Sequence, residues 1–208
     1  MPDEDTGPDA SSLDRLIDAM LGIVVDQGWR EVTIENVAAC AEVPEADSYA
    51  VCADRAQLLN AFARRVDVAA SREARAGADD EARYHELLDI MMRRFEVLQA
   101  NREAVVRLIR ELPGDPISLA RILPQSQRSF AFLARAAGYD PRPPSFLMLA
   151  KALSAVWLAT QRDWLRDETP DLSITMASLD RNLRRAMGMI GPLVPPRGGA
   201  LDEQDERE

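Results

Sequence analysis

Lysine is nearly absent from this chain of 208 residues: Lys151 is the only one, and arginine supplies the rest of its 25 basic residues. That bias points to coding preference more than to chemistry. Histidine is as scarce. His85 stands alone beside Glu86, with no second histidine or cysteine at ligand spacing, so no metal motif is present and a surface role is expected. The two cysteines, Cys40 and Cys52, are too few for a disulfide framework. They fit a reducing compartment as unbridged thiols at core-facing positions, small hydrophobes by default, with a redox sensor as the alternative. No apolar run approaches the roughly 20 residues that span a bilayer. The first ten residues are acidic rather than basic and then apolar, unlike a signal peptide. A cytoplasmic protein without stable membrane insertion is the expectation. No glycine-rich phosphate loop, nucleophile elbow or H-E-x-x-H occurs. Hence no catalytic residue, metal or cofactor is expected, and the chain reads as a non-enzyme.

What is abundant is helix-forming apolar sequence. Apolar residues make up 47% of the chain, and β-branched runs are scarce. The expectation is an all-α protein of about nine helices. Leu13, Leu16, Ile17, Met20, Leu21, Val24 and Val25 recur at three- and four-residue spacing, one stripe of a first helix that Ser11 or Ser12 would cap. Gly28 ends that helix, Thr33 caps a short second one, and Ala41 to Val43 form a turn. Pro44 suits the first turn of a short third helix, and Asp54 caps a longer fourth. Five further helices are expected over about 79–100, 102–112, 117–137, 145–166 and 172–190, divided by glycine and proline clusters. The punctuation suggests a disordered acidic arm (1–10), a three-helix head (11–70), a helical body (71–192) and a disordered acidic tail (193–208).

Charge is unevenly spread within a total of −10. Residues 11–70 carry five arginines against ten acids. Between Gly28 and Leu59 only Arg30 and Arg55 stand against Glu31, Glu35, Glu42, Glu45, Asp47 and Asp54. Duplex DNA is bound chiefly through phosphate neutralisation by cations, so this head is poorly charged for it.

The order of these elements, and "AMLGIVVDQGWREVTIENVAACAEV" in particular, resembles the TetR family of bacterial regulators. Gly28, Thr33, Ile34, Val37, Ala38, Ala41, Tyr49 and Leu58-Leu59 stand where that pattern wants them. "WLRDETPDLSITMASLDRNLRRAM" resembles the family's final helix pair. The likeness covers about residues 11–190. It departs at Pro44, Ala46, Ser48, Cys52 and Arg55, where the family has a small hydroxyl residue, glycine, an aliphatic residue, phenylalanine and lysine. The resemblance implies a TetR-like fold, a helix-turn-helix head and a ligand-binding and dimerisation body. It implies a homodimer that binds operator DNA and is controlled by a small apolar ligand. On the head, Thr33, Tyr49 and Arg55 would then contact phosphates, while Glu45, Asp47 and Ser48 face bases.

In the body, Leu87, Met91, Phe95, Leu108, Phe130 and Trp157 are candidates to line the ligand site, and Arg93, Arg94, Arg107 and Arg110 could clamp an acid. Leu153, Trp157, Trp164, Met176, Leu179 and Leu183 are candidates for a four-helix dimer interface. A second, weaker likeness is to the Coq9-type lipid-binding proteins of ubiquinone biosynthesis, through "DQGW" at 26–29 and "LRRAMGMI" at 183–190. It implies the alternative: a TetR-fold lipid or small-molecule binder, or an interaction module, that no longer reads DNA. Pro192, Pro195, Pro196 and the acidic tail replace the membrane-touching helix of those proteins, and anionic lipid would repel such a tail.

Overall fold

A computed structural model describes residues 10–190, with side chains from Ser12 onward. Residues 1–9 of the acidic arm and the tail from 191 lie outside what is described; Ser11 and Ser12, expected to cap the first helix, are already inside it, because that helix begins at Ala10. Among the described residues there are nine α-helices, two 3-10 turns and no strand. The helices are α1 (Ala10–Asp26), α2 (Ile34–Ala41), α3 (Glu45–Val51), α4 (Arg55–Ser71), α5 (Asp80–Gln99), α6 (Arg102–Glu111), α7 (Pro116–Ala136), α8 (Ser145–Trp164) and α9 (Ser173–Ile190).

Local chemistry explains most of the boundaries. Gly28 takes φ +104°, a region that disfavours side chains, so the chain can leave α1 and enter the Trp29–Glu31 turn. Thr33 Oγ1 accepts from Asn36 N at 3.2 Å and caps α2. Pro44 occupies the cap position of α3 with extended backbone, one residue ahead of the first-turn place expected for it. Asp54 Oδ1 accepts from Gln57 N at 3.0 Å and opens α4. Asp115 Oδ1 accepts from Ser118 N at 3.1 Å and opens α7, with Pro116 as its first residue.

The chain forms two compact units that do not follow chain order. One comprises the described residues of Met1–Arg65 together with Leu98–Gln125. The other comprises Val66–Val97 with the described residues of Ser126–Glu208. Residues 98–125, which punctuation alone assigns to the body, therefore pack with the head. In the first unit α1 is the central helix: α2, α3 and α6 all pack on it, and Leu16, Ile17, Met20 and Val24 are buried there. In the second, α8 and α9 form a tightly paired hairpin around Leu149, Leu153, Trp164, Leu179 and Leu183, all fully buried.

Candidate nucleic-acid and ligand sites

The head presents α3 by burying one side of it. Ser48 is 1% exposed and its hydroxyl donates to the Pro44 carbonyl at 3.1 Å. Ser48 therefore faces the interior, not a base, and the expectation for it is corrected. Its internal hydrogen bond lets a hydroxyl occupy a place where the resemblance has an aliphatic residue. Cys52, four residues on, is buried beside it in register, and burial pushes its thiol up. Glu45, Asp47 and Tyr49 point outward, Tyr49 with 65% of its surface exposed. Thr33 is exposed, with its hydroxyl oxygen used as the cap. Cys40 is exposed rather than core-facing, because α2 turns Val37 and Ala38 inward instead.

Arg55 also departs from expectation. Its guanidinium lies over the Trp29 ring at 5.1 Å, donates to the Trp29 carbonyl at 3.1 Å and pairs with Asp115 Oδ2 at 2.7 Å. The same Asp115 oxygen accepts the Trp29 indole N–H at 3.0 Å. Hydrogen bonds from Ser118 and Trp29, with the Arg55 charge, hold the Asp115 carboxyl down at about 2 against its burial. Glu111 completes the knot. Its two oxygens take the Trp29 backbone N–H and Arg107 Nε, each at 2.7 Å, while Arg107 Nη1 donates to the Val25 carbonyl at 2.5 Å. Arg55 is thus an internal tie between the start of α4 and the start of α7, and Arg30 is the exposed cation of the Gly28–Leu59 stretch.

The second unit carries the ligand candidates. Leu87, Met91, Phe95, Phe130 and Trp157 are all buried there. Phe95 stacks on Trp157 with centroids 4.0 Å apart and planes 16° from parallel, and Phe130 lies 6.2 Å from Trp157. Leu108 is buried in the first unit, on α6, and does not belong with them. Inside this aromatic cluster sits Arg94, 8% exposed. Its carbon Cζ lies 4.4 Å above Trp157 and 4.9 Å above Phe130. Its Nε is 3.0 Å from Asp67 Oδ1 and its Nη2 donates to Ser129 Oγ at 3.3 Å, while the Ser129 hydroxyl donates to Asp67 Oδ2. Burial pushes the Asp67 carboxyl up and the Arg94 guanidinium down; each opposes the other's shift.

The residues proposed for dimerisation divide by exposure. Leu153, Trp157, Trp164, Leu179 and Leu183 are buried within one chain, where the facing stripes of α8 and α9 close on each other. Met176 alone of that set is open, at 50%. The apolar residues the hairpin leaves exposed are Leu147, Met148, Leu158, Ile174, Met176 and Met189. His85 is exposed, 3.9 Å from Glu81. Among the described residues no group of three histidine, cysteine or acidic side chains is placed to hold a metal, and no helix is long and apolar enough to cross a membrane.

No family model matches the sequence, and no curated protein does. Solved structures do. A TetR transcriptional regulator from Nitrosomonas europaea superposes with a TM-score of 0.64 at 19% identity, over 85% of this chain and 98% of its own. One from Rhodococcus sp. RHA1 gives 0.62 at 13% identity, over 85% and 96%. A TetR-family regulator from Streptomyces coelicolor gives 0.55 at 17% identity, over 87% and 98%. At such identities the likeness speaks for architecture: the chain has the TetR fold, over nearly the whole length of these structures.

Proposed function

We propose that the protein is a homodimeric transcription regulator that binds operator DNA through α2 and α3 and is controlled by a small apolar ligand in its second unit. The observation that carries this reading is the construction of α3. A seven-residue helix packs on α1 and α2 with Ser48, and Cys52 at its end, buried, and its other side, with Glu45, Asp47 and Tyr49, is left open. Nothing in the packing of the head needs a 65%-exposed tyrosine, and a phenol that stacks or donates to phosphate gives it a use. Acidic side chains accept from cytosine N4, so Glu45 and Asp47 favour G·C pairs in the operator. Phosphate attraction falls to Arg30, with Thr33 and Tyr49 as neutral donors. The exposed Leu158 of α8 and Ile174 and Met176 of α9 supply the apolar surface for a two-fold contact.

An electrophoretic shift assay on the DNA flanking the protein's own gene tests the reading. Wild type is expected to give a specific complex that Tyr49→Ala weakens without loss of stability. Equal retention of specific and unrelated DNA by wild type would refute it.

A further inference from the structure

Of the four arginines expected to be able to clamp an acid, Arg107 and Arg110 belong to the first unit, and three of the four are occupied otherwise or open to water. Arg93 holds Glu86 at 2.9 Å, Arg107 is tied to Glu111 and Val25, and Arg110 is exposed. Arg94 alone lies inside an apolar, aromatic surround. Its guanidinium has five N–H groups to place. Asp67 faces Nε and Ser129 takes one hydrogen of Nη2, but Nη1 is buried with no hydrogen-bond partner. A buried donor left unmade is costly, and an arginine is an unusual occupant of such a site. It stands at the third and seventh residue after Met91 and Leu87, on the buried stripe of α5 where an apolar side chain would pack at less cost.

We propose that the effector of this regulator is an organic anion, an apolar acid with a planar ring, whose carboxylate takes the Nη1 edge of Arg94 while its ring lies against the aromatic cluster of Phe95, Phe130 and Trp157. The inference rests on the ligand-controlled reading above and narrows it to a charge class. A carboxylate is the acceptor whose two oxygens match a guanidinium edge, and pairs of that kind are strongest where water is excluded. Two further features favour it. Asp67 already gives up its charge more readily than an exposed aspartate, because burial works against ionisation there. Met91 and Leu87, both buried, give the ring an adaptable apolar flank on the same helix. A neutral apolar ligand would bury its surface equally well but would leave Nη1 as it is.

The test uses the full-length protein with 2-naphthoate and its neutral isostere 2-naphthamide, read by calorimetric titration and by thermal shift. Wild type is expected to bind the acid at least about tenfold more tightly than the amide, about 1.4 kcal/mol. Asp67→Asn keeps the arginine and removes its competitor, so it should tighten the acid and not the amide. The double variant Arg94→Met, Asp67→Asn removes both charges together, avoids stranding either one, and should bind the two probes alike. Equal binding of acid and amide to wild type would overturn the anion inference while leaving a ligand-controlled regulator intact. A preference for the acid that survives in the double variant would move the site elsewhere and also overturn it. Binding of neither probe to folded wild type and Asp67→Asn would count against the site itself, and the DNA assay would still judge the regulator reading separately.

Discussion

Replacing Asp115 with alanine should destabilise the first unit well beyond what a surface aspartate would. Three partners converge on this side chain: Ser118 N at 3.1 Å, the Trp29 indole N–H at 3.0 Å and Arg55 Nη2 at 2.7 Å. Loss of the helix cap on α7 costs about 1 kcal/mol. Trp29 is 1% exposed, so its indole N–H is left buried and unmade, for about 1–3 kcal/mol more. The Arg55 pair is partly open, with 31% of the arginine side chain exposed, and adds about 0.5–1 kcal/mol. These contributions share one carboxylate and do not simply add; a net loss of about 3 kcal/mol is expected. For a chain of this size that lowers the melting temperature by roughly 6–12 °C. Urea unfolding of wild type and Asp115→Ala at one fixed protein concentration, followed by tryptophan fluorescence and circular dichroism, measures it. Asp115→Asn keeps one acceptor oxygen and should fall between the two. A loss under about 0.5 kcal/mol, the usual range of an unremarkable surface change, would refute the view that Asp115 ties the head together.

Three further outcomes follow from the same geometry. Asp115 and Asp167 are both held down at about 2, Asp167 by hydrogen bonds from Thr169 and Thr175 that outweigh its burial. Their stabilisation is therefore complete above the ordinary carboxylate range near about 4 and is lost as pH falls through about 2; equilibrium unfolding between pH 6 and pH 2 should show the decline for wild type and less of it for Asp115→Ala. Gly28→Ala should cost about 1–3 kcal/mol in the same unfolding assay, since the backbone sits at φ +104° and a Cβ there would meet Arg107 Nη2 at 2.9 Å and Glu111 Oε2 at 3.0 Å. Leu183→Ala, at a fully buried position, should lose about 2–5 kcal/mol, whereas Met176→Ala should leave protomer stability nearly unchanged and weaken self-association in sedimentation; the reverse pattern would put the interface elsewhere.

Much of the architecture is legible in the sequence because its determinants are local. Gly28, Thr33, Asp54 and the prolines after Leu112 each act within a few residues, so the elements they bound can be read from spacing alone. The inward turn of Ser48 has a local signal too: it stands four residues before Cys52, one helical repeat, which places both on the same side of α3. What local pattern does not carry is partnership over distance. Arg55 finds Asp115 sixty positions away in sequence, and nothing near Arg55 announces that it will be tied internally instead of reaching outward. The stripes of α8 and α9 are equally ambiguous, because an apolar stripe looks the same whether it closes on its neighbour in the chain or on a second chain. Arg94 lies between these cases. Its place on the buried stripe of α5 is visible from Leu87 and Met91, but Asp67 and Ser129, which make that place tolerable, come from α4 and α7.

The most direct test of the account is the salt dependence of binding to the DNA flanking the protein's own gene. With Arg55 tied to Asp115, Arg30 is the open cation of the Gly28–Leu59 stretch in each of two heads, so about two phosphates are neutralised from it. The logarithm of the affinity should then fall with the logarithm of salt at a slope no steeper than about −2, with a specific complex present at low salt. Absence of any specific complex at about 50 mM salt would contradict the claim that this acidic head reads DNA.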